Sequence, residues 1–167
     1  MGILTLHAAI RPRTPVVMTM AHSPHNRSPS DLLRNLRPAR PGATILLVED
    51  DPQVREMTRT ILKEFGYNVL TAESDSQALW VWERHRSEIE LVIADMMIPN
   101  CATGLDLARK FQGQKPHLRV LFTSGFSKEI GGDDTEYLQR APFLQKPYTA
   151  LSLMQSVTSC FETEIRI

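Results

Sequence analysis

At 167 residues the chain is long enough for one well-packed domain and too short for two of ordinary size. A net charge of zero hides a split: residues 1–42 carry six arginines against a single acid, Asp31, so a basic leader precedes an acidic body. Two cysteines, Cys101 and Cys160, exclude a disulfide framework and lack metal-ligand spacing, and no apolar run approaches the ~18–20 residues that cross a membrane.

The leader holds six of the eleven prolines, scattered among Ser, His and Arg with no lasting helical or strand period. Residues 1–42 read as a disordered basic tail, with one frayed helical turn at "SDLLRNL". No basic segment precedes its short apolar pieces, so a secretory signal is not expected, and Gly2 lacks the Ser or Thr of a myristoylation signal. The arginines admit nucleic acid or an anionic surface as partner. A solvated leader, or an early start with Met18 and Met20 as later ones, is the preferred reading, and no direct nucleic-acid contact is expected. The cytoplasm is the expected compartment, with both cysteines as free thiols.

From residue 43 the pattern changes. Thr44–Val48 is a first strand, followed by a helix from Pro52 to Phe65 with Val54, Met57, Ile61, Leu62 and Phe65 on its inner face and Gly66 closing it. "YNVLTA" (67–72) is a second strand, and Ser74 or Asp75 caps a helix that buries Ala78, Leu79 and Trp82. "IELVIA" (89–94) is continuously apolar at its end, as a strand covered on both faces must be. "GLDLARKF" (104–111) opens a third helix, "LRVLFT" (118–123) is a fourth strand, and a weaker, Gly-interrupted helix falls within 127–140. "PFLQ" (142–145) is the fifth strand. Thr149 caps a last helix with Leu153, Met154, Val157 and Phe161 inward. Strands alternating with helices imply right-handed crossovers and an α/β, doubly wound, five-stranded parallel sheet, in which the reactive crevice lies at the carboxyl ends of the strands.

Those ends are polar. Strand one runs into Glu49, Asp50 and Asp51, strand three into Asp95, strand four into Thr123-Ser124-Gly125, and strand five into Lys146-Pro147. Any one of these reads as a solvated strand end; four of complementary chemistry on one rim do not. Clustered carboxylates repel, so a cation, a helix terminus or bulk water must gather them. Mg²⁺ suits such oxygen ligands and retains room for waters and a phosphate. An Asp beside it can attack a phosphoryl group, with a hydroxyl and a Lys on neighbouring strands to take the other oxygens.

The segments "ILLVEDDPQVR", "LVIADMMIP", "VLFTSG" and "FLQKPY" resemble, in order and spacing, the signatures of the response-regulator receiver domain of two-component signalling, over about residues 43–163. That resemblance implies a flavodoxin-like (βα)5 fold with strand order 2-1-3-4-5, followed by a short tail at 164–167. It also implies Mg²⁺ held by Glu49, Asp50, Asp95 and the carbonyl of Met97. Asp95 is then the phosphoacceptor, Ser124 the switch hydroxyl, Lys146 the phosphate-binding lysine, and the bond before Pro147 is cis. Partners implied are a histidine kinase or histidine phosphotransfer protein, and a downstream protein docked on the face of the fourth helix, fifth strand and last helix; a phosphorylation-dependent dimer is compatible with it. Two details depart from the commonest pattern. Gly104 lies nine residues after Asp95, one more than in the shortest receivers, as in receivers that accompany hybrid sensor kinases. Phe143 stands three before Lys146, where many receivers carry a switching Tyr, so this switch has no hydroxyl there. Only 21 residues follow Lys146, so a single-domain regulator with no fused output domain is expected.

Several features have plainer readings. Gly131-Gly132-Asp133-Asp134 is similar to the active loop of cyclic-dinucleotide synthases, but a loop is the better reading without the surrounding domain. Cys101 is an ordinary loop thiol, Trp80 and Trp82 are packing and surface aromatics, and His85 belongs to a solvated face with Arg84 and Arg86. An aspartyl phosphatase would need an acid at Met97. A flavodoxin-like cofactor binder would not place Glu49-Asp50-Asp51 where phosphate must bind. A receiver-like module that docks without being phosphorylated is the alternative.

Overall fold

The computed structural model describes residues 38–98, 103–125 and 141–163. In chain order the elements are β1 (Thr44–Val48), α1 (Pro52–Glu64), β2 (Asn68–Ala72), α2 (Asp75–His85) and β3 (Ile89–Asp95). They continue with α3 (Gly104–Gln114), β4 (Arg119–Ser124), β5 (Phe143–Gln145) and α4 (Ala150–Glu162). The strands form one parallel sheet in the order β2-β1-β3-β4-β5, as expected of the flavodoxin-like fold. The helix expected within 127–140, the loop Gly131–Asp134, Cys101, residues 1–37 and the tail 164–167 lie outside the described residues.

Alternation along the strands divides the core in two, because successive side chains of a strand point to opposite faces of the sheet. Leu46, Val48, Val92, Ala94 and Phe122 pack on α2 and α3, where Trp82 stacks on Phe111 at 4.2 Å between ring centroids and its Nε1 donates to Gln114 Oε1 at 2.8 Å. Ile45, Leu47, Leu91, Ile93 and Leu121 pack on the other face against Leu62 of α1 and Leu153, Met154 and Val157 of α4. Cys160 joins that second core as a free thiol, and burial pushes its pKa up to about 11.

The inner face of α1 differs from expectation. Met57 is 43 % exposed, while Thr58 is fully buried between Val54 and Leu62. The helical repeat puts Thr58 at the centre of the buried stripe, and its hydroxyl is satisfied by Tyr148 at 2.8 Å. A hydropathy pattern passes over a residue made tolerable by a distant partner. On α2 the buried residues are Ala78, Val81 and Trp82, and Trp80 is surface-exposed.

The helix ends follow their local chemistry. Asp51 accepts from the Gln53 and Val54 N–H groups at the start of α1, with Pro52 as first helical residue. Gly66 ends α1 at φ 84°, letting Tyr67 N donate to Leu62 O and Gly66 N to Lys63 O. Ser74 caps α2. Thr149 and Ser152 form a reciprocal capping box at α4, so Thr149→Ala is expected to lower stability by about 1 kcal/mol, read as a lower urea midpoint with an unchanged m-value.

Candidate functional site

β1 and β3 lie side by side and parallel, with Val48 level with Ala94, so their carboxyl ends bring Glu49 and Asp50 beside Asp95. Glu49 is drawn one step past β1 by its N–H bond to Ala72 O, and its side chain is only 1 % exposed. One oxygen each from Glu49, Asp50 and Asp95 lie within 4.8 Å of one another. Asp51, by contrast, points into the α1 terminus, where the backbone N–H groups of Val54 and Gln53 hold its carboxyl below the usual range. The acidic run thus divides into a pair turned to the crevice and a helix cap.

β5 delivers the counter-charge. Lys146 N donates to Ser124 O at 2.8 Å, extending the β4–β5 pairing, and the Lys146–Pro147 bond is cis, as the resemblance implied. From there Lys146 Nζ reaches Asp95 Oδ2 at 2.6 Å and Glu49 Oε1 at 2.8 Å. Glu49 Oε2 is 2.7 Å from the same ammonium but poorly aligned with it, and counts as a buried oxygen without a hydrogen bond. Burial pushes the Glu49 carboxyl above its ordinary value even though Lys146 opposes this. For Lys146, burial alone would lower the pKa, but hydrogen bonds and charge from Asp95 and Glu49 together raise it. The ammonium is therefore locked in its charged form.

The remaining expected residues converge on the same rim. Ser124 is buried at the end of β4, with Thr123 level with Asp95. Met97 has an exposed side chain, and its N–H donates to Asp95 Oδ1 at 3.0 Å, which fixes the rotation of that carboxylate. Phe143 is half-buried against the α2–α3 core at the start of β5.

Three contributions go beyond the expected site residues. Arg55 Nη1 donates to the main-chain oxygens of Glu49 at 2.7 Å and Asp50 at 3.0 Å, so α1 holds the acidic loop from behind. Thr58 of the same helix shares a hydrogen bond with the Tyr148 hydroxyl of the β5–α4 turn at 2.8 Å. Gly104, at the start of α3, faces the Asp95 carbonyl so closely that a Cβ there would overlap it. For Arg55 the signal was present, since it closes "EDDPQVR"; for the hydroxyl pair, residues 90 apart in sequence, there was none.

A hard cation fits this donor set. All three side-chain ligands are carboxylates, and a buried Glu49 oxygen lacks a hydrogen bond, which favours Mg²⁺ or Ca²⁺ over metals that take sulfur or nitrogen. Glu49, Asp50 and Asp95 are the residues that could hold it.

Fold and site together define a flavodoxin-like α/β protein with an acidic crevice at its strand ends, closed by one lysine. The family model for the response regulator receiver domain matches residues 45–158, and the chain belongs to that family. Receiver domains are signalling phosphoacceptors of two-component systems rather than classical enzymes. The chain is 30 % identical over 123 residues to the sensor kinase CckA of Brucella abortus (strain 2308), covering 74 % of this chain and 13 % of that kinase. To the response regulator receiver protein CpdR of the same organism it is 29 % identical, covering 68 % of this chain and 92 % of CpdR. Among solved structures, the receiver domain of the hybrid histidine kinase CckA superposes with a TM-score of 0.59 at 30 % identity, over 71 % of this chain and 99 % of that one. A receiver domain from Clostridium thermocellum gives 0.63 at 26 % identity, over 71 % and 94 %. Among the described residues, no helix is long and apolar enough to cross a membrane.

Proposed function

We propose that this protein is a response regulator whose receiver, residues 43–163, accepts a phosphoryl group on Asp95 and signals through protein–protein contacts. The observation that carries the proposal is the Lys146 ammonium at 2.6 Å from Asp95, beside an acidic pair that one lysine does not neutralise. A carboxylate buried with a cation and turned by the Met97 N–H is a positioned nucleophile.

In the reaction an Asp95 oxygen attacks the phosphorus of a phosphohistidine on a histidine kinase or histidine phosphotransfer protein, or of a small acyl phosphate. The P–O bond forms as the bond to the leaving group breaks, and the leaving imidazole or carboxylate keeps the electron pair. Lys146 then pairs with a phosphoryl oxygen in place of the Asp95 carboxylate oxygen it now holds. Ser124, at the end of β4, offers its hydroxyl to another oxygen. Glu49, Asp50, Asp95 and the Met97 carbonyl would hold Mg²⁺, which would offset the charge of the phosphoryl oxygens. Movement of Ser124 and Lys146 toward the new charge shifts the strand ends that carry them, and with them the packing of the neighbouring Phe143 of β5. A downstream protein reads that shift on the side of β5 and α4.

Incubation with Mg²⁺ and acetyl phosphate, followed by intact mass measurement, tests this. A gain of one phosphoryl mass that is absent in Asp95→Asn is expected. No gain in the wild-type protein, or a gain that survives the substitution, sinks the assignment, and a folded wild type that gains nothing is instead a docking module.

A further inference from the structure

We propose that the hydrogen bond between the Thr58 and Tyr148 hydroxyls is a positioning contact of the phosphoryl-transfer site, holding the Lys146 ammonium over Glu49 and Asp95 by tying the β5–α4 turn to α1. The inference rests on the reading of Asp95 as phosphoacceptor.

Lys146 is weakly anchored by the sheet alone. β5 is three residues long, and the Lys146 N–H bond to Ser124 O is the last rung before the chain turns away toward α4. A lysine carries its charge on a long, flexible stem, so the placement of Nζ depends on how firmly its backbone is held. Two residues further on, Tyr148 reaches across to α1 and meets Thr58 at 2.8 Å. Its ring packs against the core between α1, α4 and the sheet, and burial raises the pKa of its hydroxyl, which stays a neutral hydrogen-bonding group.

Thr58 occupies a fully buried position where an apolar side chain would pack without needing a partner. The hydroxyl is out of place by hydropathy and in place by its contact with Tyr148. The same helix also holds the other half of the site: Arg55, three residues earlier, donates to the main-chain oxygens of Glu49 and Asp50. One rigid helix therefore grips the acidic loop through Arg55 and the lysine turn through Thr58. The distance between carboxylates and ammonium is then set by the helix and not by the three-residue strand β5. Tyr148 and Thr58 touch no reacting atom; they act through Lys146.

The test compares the rate of phosphoryl gain from saturating acetyl phosphate, with saturating Mg²⁺, in wild type, Tyr148→Phe, Thr58→Val, the double variant and Thr58→Ser. Thermal melting establishes that each is folded at the assay temperature. Tyr148→Phe and Thr58→Val are each expected to slow phosphoryl gain about tenfold, the scale of a sub-ångström misplacement of a catalytic group. The donor concentration at half-maximal rate should stay unchanged. The double variant should be no slower than either single one, since both remove the same bond, and Thr58→Ser should restore the rate. Folded single variants that react at the wild-type rate overturn the inference and leave Asp95 as acceptor untouched; so does a double variant in which the two losses multiply. A wild type that gains no phosphoryl group overturns the receiver chemistry and this inference with it.

Discussion

Lys146→Met should lower stability by about 3 kcal/mol at neutral pH, because it leaves two buried carboxylates without the cation between them. Methionine keeps most of the apolar stem, so the loss isolates the charge. The pH dependence follows from the direction of each shift. Glu49 already titrates above its ordinary 4.5 in the folded protein, and without Lys146 its pKa must rise further. A folded state that binds more protons than the unfolded one gains stability as pH falls, so the deficit of the variant should shrink between pH 7.5 and pH 5. In the wild type the raised pKa of Lys146 works in the opposite range. Its contribution is fully present below the ordinary 10.5 and is lost as pH climbs through the higher folded value. Urea denaturation of both proteins at pH 5, 7.5 and above 10.5 measures this. Millimolar Mg²⁺ should stabilise the variant more than the wild type, since no ammonium then competes for Glu49 and Asp95. Equal urea midpoints at pH 7.5 would contradict the pairing.

Gly104→Ala is expected to destabilise by about 2–3 kcal/mol and to slow phosphoryl gain, although alanine is the better helix former. The added Cβ would overlap the Asp95 carbonyl oxygen, with the Asp95 carbonyl carbon at 3.0 Å and Met96 Cα at 3.3 Å. All three are main-chain atoms, so no side chain can rotate away. Either α3 withdraws from the end of β3, straining the Gly104 N–H contact to Met96 O at 3.4 Å, or the main chain of Asp95 itself shifts. Gly113 supplies the control. It lies in the same helix, exposed, with open space where a Cβ would go, so Gly113→Ala should stabilise by about 0.5–1 kcal/mol. Opposite signs for two Gly→Ala changes in one helix distinguish close approach to Asp95 from helix propensity. Thermal melts and the acetyl phosphate assay read both.

By itself the sequence determined the architecture and the identity of the crevice residues. The apolar run 44–48 and the segment 89–94, apolar at its end, read as strands, the second of them central, and their polar ends had to meet at one rim because parallel strands all finish on the same side. Local signals were equally direct: Pro52, Ser74 or Asp75, and Thr149 each marked a helix start, since helix initiation and capping need only residues within one turn. What the tertiary structure decided were the contacts between residues distant in sequence. That Lys146 bridges Glu49 and Asp95, that Met57 turns outward while Thr58 is buried, and that Tyr148 satisfies Thr58 all depend on how α1 and the β5–α4 turn pack on one face of the sheet. The need for glycine at 104 likewise arises from the approach of α3 to a strand end nine residues earlier. Periodicity reports which side of an element is buried. Only the packed fold reports what each buried group meets there, and for a hydroxyl, a carboxylate or a missing Cβ that encounter decides the energy.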